Sequence, residues 1–165
     1  MQIKLHELRR IIREELKSLS EHSPSEHTRG DKISALEVQR AADKLPAPRI
    51  NPLTEVPPPR DTDEFKDSMS IVTRHPEVMM KLKPGTRIAM RWQNFGGGIN
   101  VDDFAFGRVV GIAKTGGILG MGAQNWFVVE TGGKRYPFSE KSLHRYAFSP
   151  TEGPEIWAHR DDFTR

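Results

Sequence analysis

The chain has 165 residues, of which 36% are apolar and 28% are charged, and its formal net charge is +3 at pH 7. It contains no cysteine, which excludes a disulfide framework and any thiolate metal site. No run of about 18 apolar residues occurs, and the N-terminus lacks the apolar core and cleavage site of a secretory signal, so we expect a protein that is not secreted and has no membrane partner.

Residues 1–20 predict an amphipathic helix. At the helical period their apolar side chains fall within an arc of roughly 80°, with charged side chains opposite. These apolar side chains are Leu5, Leu8, Ile12, Leu16 and Leu19. A helix of about 20 residues is only marginally stable alone, so the apolar stripe needs a surface to bury against. That surface is the chain's own folded domain, a second copy of the helix or another protein, and we expect a partner-docking helix.

Residues 21–81 are expected to form a linker that contains short helices. Ser34 and Glu37 have the spacing of a capping box, in which each side chain bonds the other's backbone amide, and so have Asp61 and Glu64. The predicted helices span about residues 34–45 and 61–69. Residues 71–82 carry several apolar side chains and are expected to pack as a flap on the folded domain.

A proline-rich stretch separates the two short helices. Residues 46–59 hold 6 of the 12 prolines of the chain. This composition favours an extended, polyproline-like spacer, and the alternative is a ligand for an aromatic groove.

Residues 82–148 contain 12 of the 14 glycines and 10 of the 13 aromatic residues, and they predict five strands. The strands span about residues 86–93, 104–113, 124–130, 133–138 and 143–148. In the first, every second residue from Ile88 to Trp92 is apolar, as in a strand with one buried face. In the second, Val110 and Ile112 are expected to share a face. Two glycines after the third can take the positive φ of a tight hairpin, and Pro137 restricts the fourth to an edge.

The order of these elements is strand, glycine-rich loop, strand, glycine-rich loop, strand, tight hairpin, strand, one helical turn, strand. It resembles the Src-homology-3 (SH3) type of small β-barrel, and a Tudor-like or oligonucleotide-binding barrel has much the same pattern. The resemblance implies a mainly β fold, with an SH3-like barrel of about five strands over residues 82–148 and a tail over residues 149–165. Neither the acidic loop nor the paired-aromatic groove with which signalling members bind proline-rich peptides is recognisable.

No residue pattern predicts catalysis, a cofactor or a metal site. The glycines between residues 116 and 122 lack the order of a nucleotide-binding loop. Asn100, Asp102 and Asp103 could offer oxygen atoms to a cation, but the terminal glutamate of a calcium loop is missing. Ser139 and His144 have no third residue that would orient the histidine. We therefore expect a protein that is not an enzyme.

The charge distribution favours a binding surface on the folded domain. Residues 81–149 hold 10 lysines and arginines against 4 acidic residues, while residues 150–165 hold 2 against 4. Cations interleaved with aromatic side chains suit a nucleic acid, although a β domain also needs most of its aromatic residues for its core. The candidate ligand or nucleic-acid surface comprises Arg87, Arg91, Trp92, Phe95, Arg108, Lys114, Trp126, Lys134, Arg135 and Tyr136.

The opening sequence KLHELRRIIREEL resembles the short amphipathic leaders of many proteins of large tailed bacteriophages. The matching residues are Lys4, Leu5, Leu8, Arg9, Arg10, Ile11, Ile12, Arg13, Glu14, Glu15 and Leu16. The resemblance implies a phage origin, a location in the virion or the host cytoplasm, and a protease site after Glu14 or Glu15.

Two functions are therefore predicted. The first is a non-enzymatic virion or assembly protein, whose partners are other structural proteins of the particle or a second copy of its N-terminal helix. The second is a nucleic-acid-binding barrel.

Overall fold

The structure is a computed structural model. It describes residues 33–50, 52, 55–92, 98–116, 123–149 and 152–163. The predicted docking helix, the predicted protease site and Phe95 lie outside the described residues.

The described residues form six strands and five α-helices. The strands are β1 (Met69–Ile71), β2 (Arg87–Trp92), β3 (Ala105–Thr115), β4 (Gln124–Thr131), β5 (Lys134–Ser139) and β6 (Pro154–His159). The helices are α1 (Ala35–Asp43), α2 (Thr62–Ser68), α3 (Pro76–Met79), α4 (Glu140–Phe148) and α5 (Arg160–Phe163), and a 3₁₀ turn spans Val101–Asp103.

All six strands belong to one antiparallel sheet with the order β1-β6-β2-β3-β4-β5. Strands β2 to β5 follow one another as hairpins, and β6 then returns to pair with the free side of β2. The turn between β4 and β5 has positive φ at Gly132 (57°) and Gly133 (73°), which glycine adopts without steric cost. The predicted tight hairpin is present there, and β5, which contains Pro137, lies at one edge of the sheet.

Both helices expected between residues 34 and 69 are present, and each begins at the predicted cap. The side chain of Ser34 accepts a hydrogen bond from the Glu37 amide at 3.2 Å, and that of Asp61 accepts one from the Glu64 amide at 2.8 Å. The Glu64 carboxylate accepts from the backbone amide of Arg60, one residue before the predicted position.

The prediction of a last strand over residues 143–148 is wrong, because these residues lie in helix α4. The hydroxyl of Ser139 caps the helix by accepting from the Ser142 amide at 3.0 Å, and Leu143 is fully buried. The last strand is instead β6, within the expected tail. Strand β1, within the expected linker, pairs with β6 on the side away from β2.

Val110 and Ile112 lie on opposite faces of the sheet rather than on the same face. The pairing of β3 with β4 shifts between Val109 and Gly111, which is a β-bulge. An extra residue in one strand reverses the alternation beyond it. Val110 therefore packs beneath helix α1, whereas Val109 and Ile112 face the other side of the sheet.

Each face of the sheet carries a core. On the inner face, side chains of β2 to β6 pack with Met79 of α3 and Leu143 of α4. The buried side chains of this core are Val72, Met79, Leu82, Ile88, Met90, Val109, Phe127, Val129, Phe138, Leu143, Ile156 and Ala158. On the outer face, α1 covers β3 and β4 through Ala42, and α2 covers β2 and β3 through Phe65.

The expectation of a mainly β fold is confirmed, but the strand pairing is that of an open sheet rather than a closed barrel of about five strands. The sheet is nevertheless strongly curled. Strands β2 and β5 are separated by two others, which would place them about 14 Å apart in a flat sheet. The ring centroids of Trp92 on β2 and Tyr136 on β5 are only 6.1 Å apart.

Candidate functional site

Some residues of the predicted ligand surface are exposed in the structure, whereas others are buried or paired within the chain. Arg91 is 4% exposed, and its guanidinium forms an ion pair with Glu155 of β6, its neighbour in the strand pairing. The Arg91 Nε and Nη2 atoms lie 2.9 and 2.8 Å from Glu155 Oε2. Glu155 Oε1 accepts a further bond from the Trp157 indole at 2.6 Å, and the ring of Phe104 lies 4.7 Å beneath the Arg91 guanidinium. Arg91 is therefore buried in the outer-face core, and its guanidinium is paired within the chain.

Arg87 binds the C-terminal helix α5. Its backbone amide donates to Asp162 at 2.8 Å, and its side chain grips both oxygens of the same carboxylate at 3.0 and 2.8 Å. Arg87 Nη2 also donates to His159 Nδ1 at 3.1 Å. The hydrogen bond to Asp162 raises the pKa of Arg87.

The two titratable partners of Arg87 both have pKa values below their ordinary values. Burial and the nearby charge of Arg87 lower the pKa of His159, against the opposing effect of Asp161 and Asp162. Burial alone would raise the pKa of Asp162, but the hydrogen bonds and the charge of Arg87 outweigh it and lower this pKa.

This cluster predicts that stability falls as the pH drops below about 6.5, the ordinary pKa of histidine. The unfolded chain binds a proton at His159 before the folded state does, so protons favour unfolding in that range. Asp162 adds a second loss below 3.8, because the folded state keeps its carboxylate charged where the unfolded chain does not. Urea unfolding at pH 7, 6, 5, 4 and 3 measures both steps.

In the variant His159→Asn, the side-chain oxygen can still accept from Arg87, but the first of these losses should disappear. The matched control is His144→Asn, on the exposed side of α4, which should still lose stability as the pH drops below about 6.5. An unchanged loss between pH 7 and 5 in His159→Asn would assign that loss to other groups.

Arg108 and Arg135 are also held within the chain. Arg108 forms an ion pair with Glu55 and donates to the Gly85 carbonyl at 2.9 Å. Arg135 pairs with Glu130 at 3.0 Å, and its Nη1 donates to three carbonyls at the C-terminal end of α1. A cation at this end of a helix satisfies carbonyls that have no partner within the helix.

Three further residues of the predicted surface are one structural side chain and two exposed cations. The indole of Trp126 donates to the Thr115 hydroxyl at 2.6 Å, and its ring packs against the core beneath α1. Lys114 and Lys134 are exposed.

The exposed Trp92 and the partly buried Tyr136 form an aromatic surface with the ring of Phe138 behind them. Trp92 is 55% exposed, and its ring lies at 61° to Tyr136 and 6.3 Å from Phe138. Phe138 is buried, and it contacts Tyr146 of α4 edge-on. We call Trp92 and Tyr136 the aromatic surface. Its tryptophan is held in place from behind, yet more than half of the side chain faces solvent.

The residues considered for chemistry have structural roles in the described part of the chain. The Ser139 hydroxyl caps α4, whereas His144 is exposed on that helix. The Asn100 side chain accepts from the Asp102 amide and donates to Asp103, at the 3₁₀ turn. Among the described residues no group of three or more histidine, cysteine, aspartate or glutamate side chains could hold a metal ion, and none of the described helices has the length and apolarity to cross a membrane.

Sequence reasoning missed the carboxylates that form ion pairs with the arginines. Glu155, His159 and Asp162 lie in the expected tail, and Glu55 lies in the proline-rich stretch. One sequence signal indicates a strand that contains Glu155 and His159. Over residues 155–159 the small or aliphatic residues Ile156 and Ala158 alternate with larger polar or aromatic residues, which is the period of a strand.

Comparison with protein-family models, with characterised proteins and with solved structures finds no match to this chain. The arrangement of the site itself therefore has to carry the functional assignment. The prominent features of that arrangement are the aromatic surface and a row of internally paired arginines.

Proposed function

We propose that the chain is a non-enzymatic adaptor or structural protein that presents its sheet domain for contact with another protein. In this proposal it is a component of a bacteriophage virion or of virion assembly, and it docks through the helix of residues 1–20. The observation that carries the contact role is the aromatic surface, because Trp92 remains 55% exposed although the inner-face core lies directly behind it.

An exposed tryptophan with a rigid backing is the kind of side chain that dominates protein interfaces. Tryptophan and tyrosine are enriched among the few residues that supply most of the binding energy. Trp92 is held against Tyr136 and Phe138, so little side-chain freedom is lost when a partner covers it.

The strand order supports an SH3-like architecture as part of this proposal. The sequence-based resemblance predicts four strands, the last two joined by a tight hairpin, then one helical turn and a fifth strand. The observed order β6-β2-β3-β4-β5 has this arrangement, with a helical segment before the returning strand. The curl that brings Trp92 to Tyr136 also favours a barrel-like shape.

Nucleic-acid binding is the alternative, and one observation favours it. Bases stack on exposed aromatic rings, and the exposed lysines Lys114, Lys134 and Lys141 could contact phosphates. Against it, the five arginines from Arg87 to Arg145 each pair with a carboxylate. A phosphate would have to displace that carboxylate. The positive charge that the arginines contribute to the composition is therefore mostly neutralised within the chain.

The proposal predicts that the variant Trp92→Ala loses its protein partner. Removing an interface tryptophan of this kind costs at least about 2 kcal/mol, or about 30-fold in affinity. The measurement is capture by the tagged full-length chain from phage-infected cells, before and after nuclease treatment, followed by titration of the captured protein.

Deleting residues 1–20 should separately abolish incorporation into particles while circular dichroism shows the sheet domain intact.

The matched control is Leu36→Ala, which removes a side chain of similar exposure (59%) from α1 on the outer face. It should retain the partner. Loss of the partner after nuclease treatment would instead favour the nucleic-acid alternative, whose affinity for oligonucleotides should fall with salt at a log–log slope of about −0.7 per phosphate on single strands. Equal capture by Trp92→Ala and the unmodified chain would refute the aromatic surface as the contact.

A further inference from the structure

Two arginines lie directly opposite each other on neighbouring strands of the outer face. Arg87 on β2 is the pairing partner of Arg108 on β3. Like charges in this position repel each other, so they need compensation. It comes from two distant segments: Asp162 of α5 pairs with Arg87, and Glu55 of the proline-rich stretch pairs with Arg108.

The two carboxylates are held very differently. Asp162 accepts three hydrogen bonds from Arg87, and its side chain is 24% exposed. Glu55 contacts only Arg108 among the described residues, and its side chain is 44% exposed. An exposed pair of this kind contributes little to stability and exchanges readily with competing anions, whereas a two-pronged grip on one carboxylate is much stronger. Glu55 is therefore the carboxylate that an incoming anion would displace.

Residues 55–59, which we call the strap, line a cavity together with this arginine pair. The cavity has a volume of about 270 Å³, and the strap prolines face Met69, Phe106 and both arginines across it. This volume is below the about 300–1,000 Å³ of sites for drug-sized ligands, so the cavity fits only a small group.

A hydrogen-bond donor in this region lacks a partner. Arg87 Nη1 is buried, and it makes no hydrogen bond to any described residue. A buried guanidinium nitrogen without an acceptor is costly, so Asp162 and His159 do not satisfy the Arg87 side chain completely.

A second, more open cavity of about 580 Å³ adjoins the first and shares both arginines and Glu55 with it. Its wall adds two exposed cations, Arg49 and Lys83. Four cations and three carboxylates line this cavity, so the displacement of Glu55 raises the local charge from +1 to +2.

We propose that Arg108, Arg87 and the exposed Arg49 and Lys83 form a site for a small phosphate group, and that Glu55, which pairs with Arg108 in this structure, is an internal substitute for that group. Donors from several sides suit a tetrahedral phosphate better than a planar carboxylate. The site lies on the outer face, where the two cavities share Arg87 and Arg108, and it is independent of the aromatic surface. Arg49 and Lys83 belong to the wall of the larger cavity, and the small volume beneath the strap limits the ligand to a free phosphate or a small phosphomonoester.

The test is titration of the full-length chain with inorganic phosphate at constant ionic strength, with calorimetry and the thermal midpoint as readouts. Saturable binding should raise the midpoint, because the ligand binds only the folded state. The variant Glu55→Gln removes the competing carboxylate and should bind phosphate about two- to fivefold more tightly, the range expected for the loss of an exposed ion pair. Arg108→Gln should abolish the response.

The matched control is Glu152→Gln, which removes the similarly exposed partner of Arg145 and should leave phosphate affinity unchanged. If Arg108→Gln does not fold, the double variant of the exposed residues, Arg49→Gln with Lys83→Gln, takes its place and should weaken binding. The proposal is overturned if phosphate gives no saturable response with Glu55→Gln, if acetate binds as tightly as phosphate, or if Glu152→Gln tightens binding as much as Glu55→Gln.

Discussion

Replacing Glu155 with alanine should destabilise the protein by about 3–5 kcal/mol, because it removes the buried carboxylate closest to the Arg91 guanidinium, at 2.8 Å, whereas the Asp103 carboxylate lies 3.8 Å away. Arg91 and Glu155 are 4% and 3% exposed, so water cannot replace the lost carboxylate. The change also removes the acceptor of the Trp157 indole. The measurement is the free energy of unfolding in urea at pH 7.

Two variants separate this effect from the loss of a side chain as such. Glu152→Ala breaks an exposed pair with Arg145 and should change stability by less than about 1 kcal/mol. The double variant Arg91→Met with Glu155→Leu removes both charges and should recover most of the loss, because a buried ion pair contributes little beyond an apolar pair of similar volume. A single variant as stable as the double variant would show that the buried charge is not the cause.

Arg91 also shows where the sequence stops predicting the site. Alternation in residues 86–93 correctly predicts strand β2 and places the arginines on the face opposite Ile88. The prediction of a ligand surface that includes Arg91 depended on the charge distribution and on the interleaved aromatic residues, which do not show whether a cation is exposed. The face is covered by α2, and Glu155 arrives from a strand more than 60 residues away. Only the pairing of β2 with β6 reveals the partner.

Local signals were sufficient where the structure depends on a few neighbouring residues. The caps at Ser34 and Asp61 and the glycine turn between β4 and β5 each follow from side chains within four positions of one another. The bulge in β3 does not, because it is defined by the register with β4. The same limit applies to the tryptophans: nothing local distinguishes Trp92, which is exposed, from Trp126, which packs beneath α1.

Three of the segments expected to be linker cover the outer face of the sheet. Helix α1 lies over β3 and β4, the strap lies beside the arginine pair of β2 and β3, and α2 packs through Phe65 against side chains of β1, β2, β3 and β6. None of these segments is long or apolar enough to fold alone. Each segment is held by a few contacts to the sheet, so its attachment depends on single buried side chains.

Phe65 is the anchor of α2, and Phe65→Ala should cost about 3–5 kcal/mol of the free energy of unfolding. Phe65 is fully buried, and it is the one buried side chain of this seven-residue helix. Its ring lies 4.7 Å from that of Phe104 and 5.0 Å from that of Trp157, so truncation leaves a cavity between the helix and the sheet. Urea unfolding followed by tryptophan fluorescence measures the loss.

The matched control is Phe148→Ala, which removes the same group from a position that is 87% exposed and should change stability by no more than about 0.5 kcal/mol. Hydrogen exchange then distinguishes two ways in which α2 could respond. If the outer-face core folds with the sheet, the amides of α2 and β6 should lose protection together in Phe65→Ala. If α2 alone exchanges faster while the global free energy is unchanged, Phe65 holds only its own helix, and the outer-face core is not part of the cooperative fold.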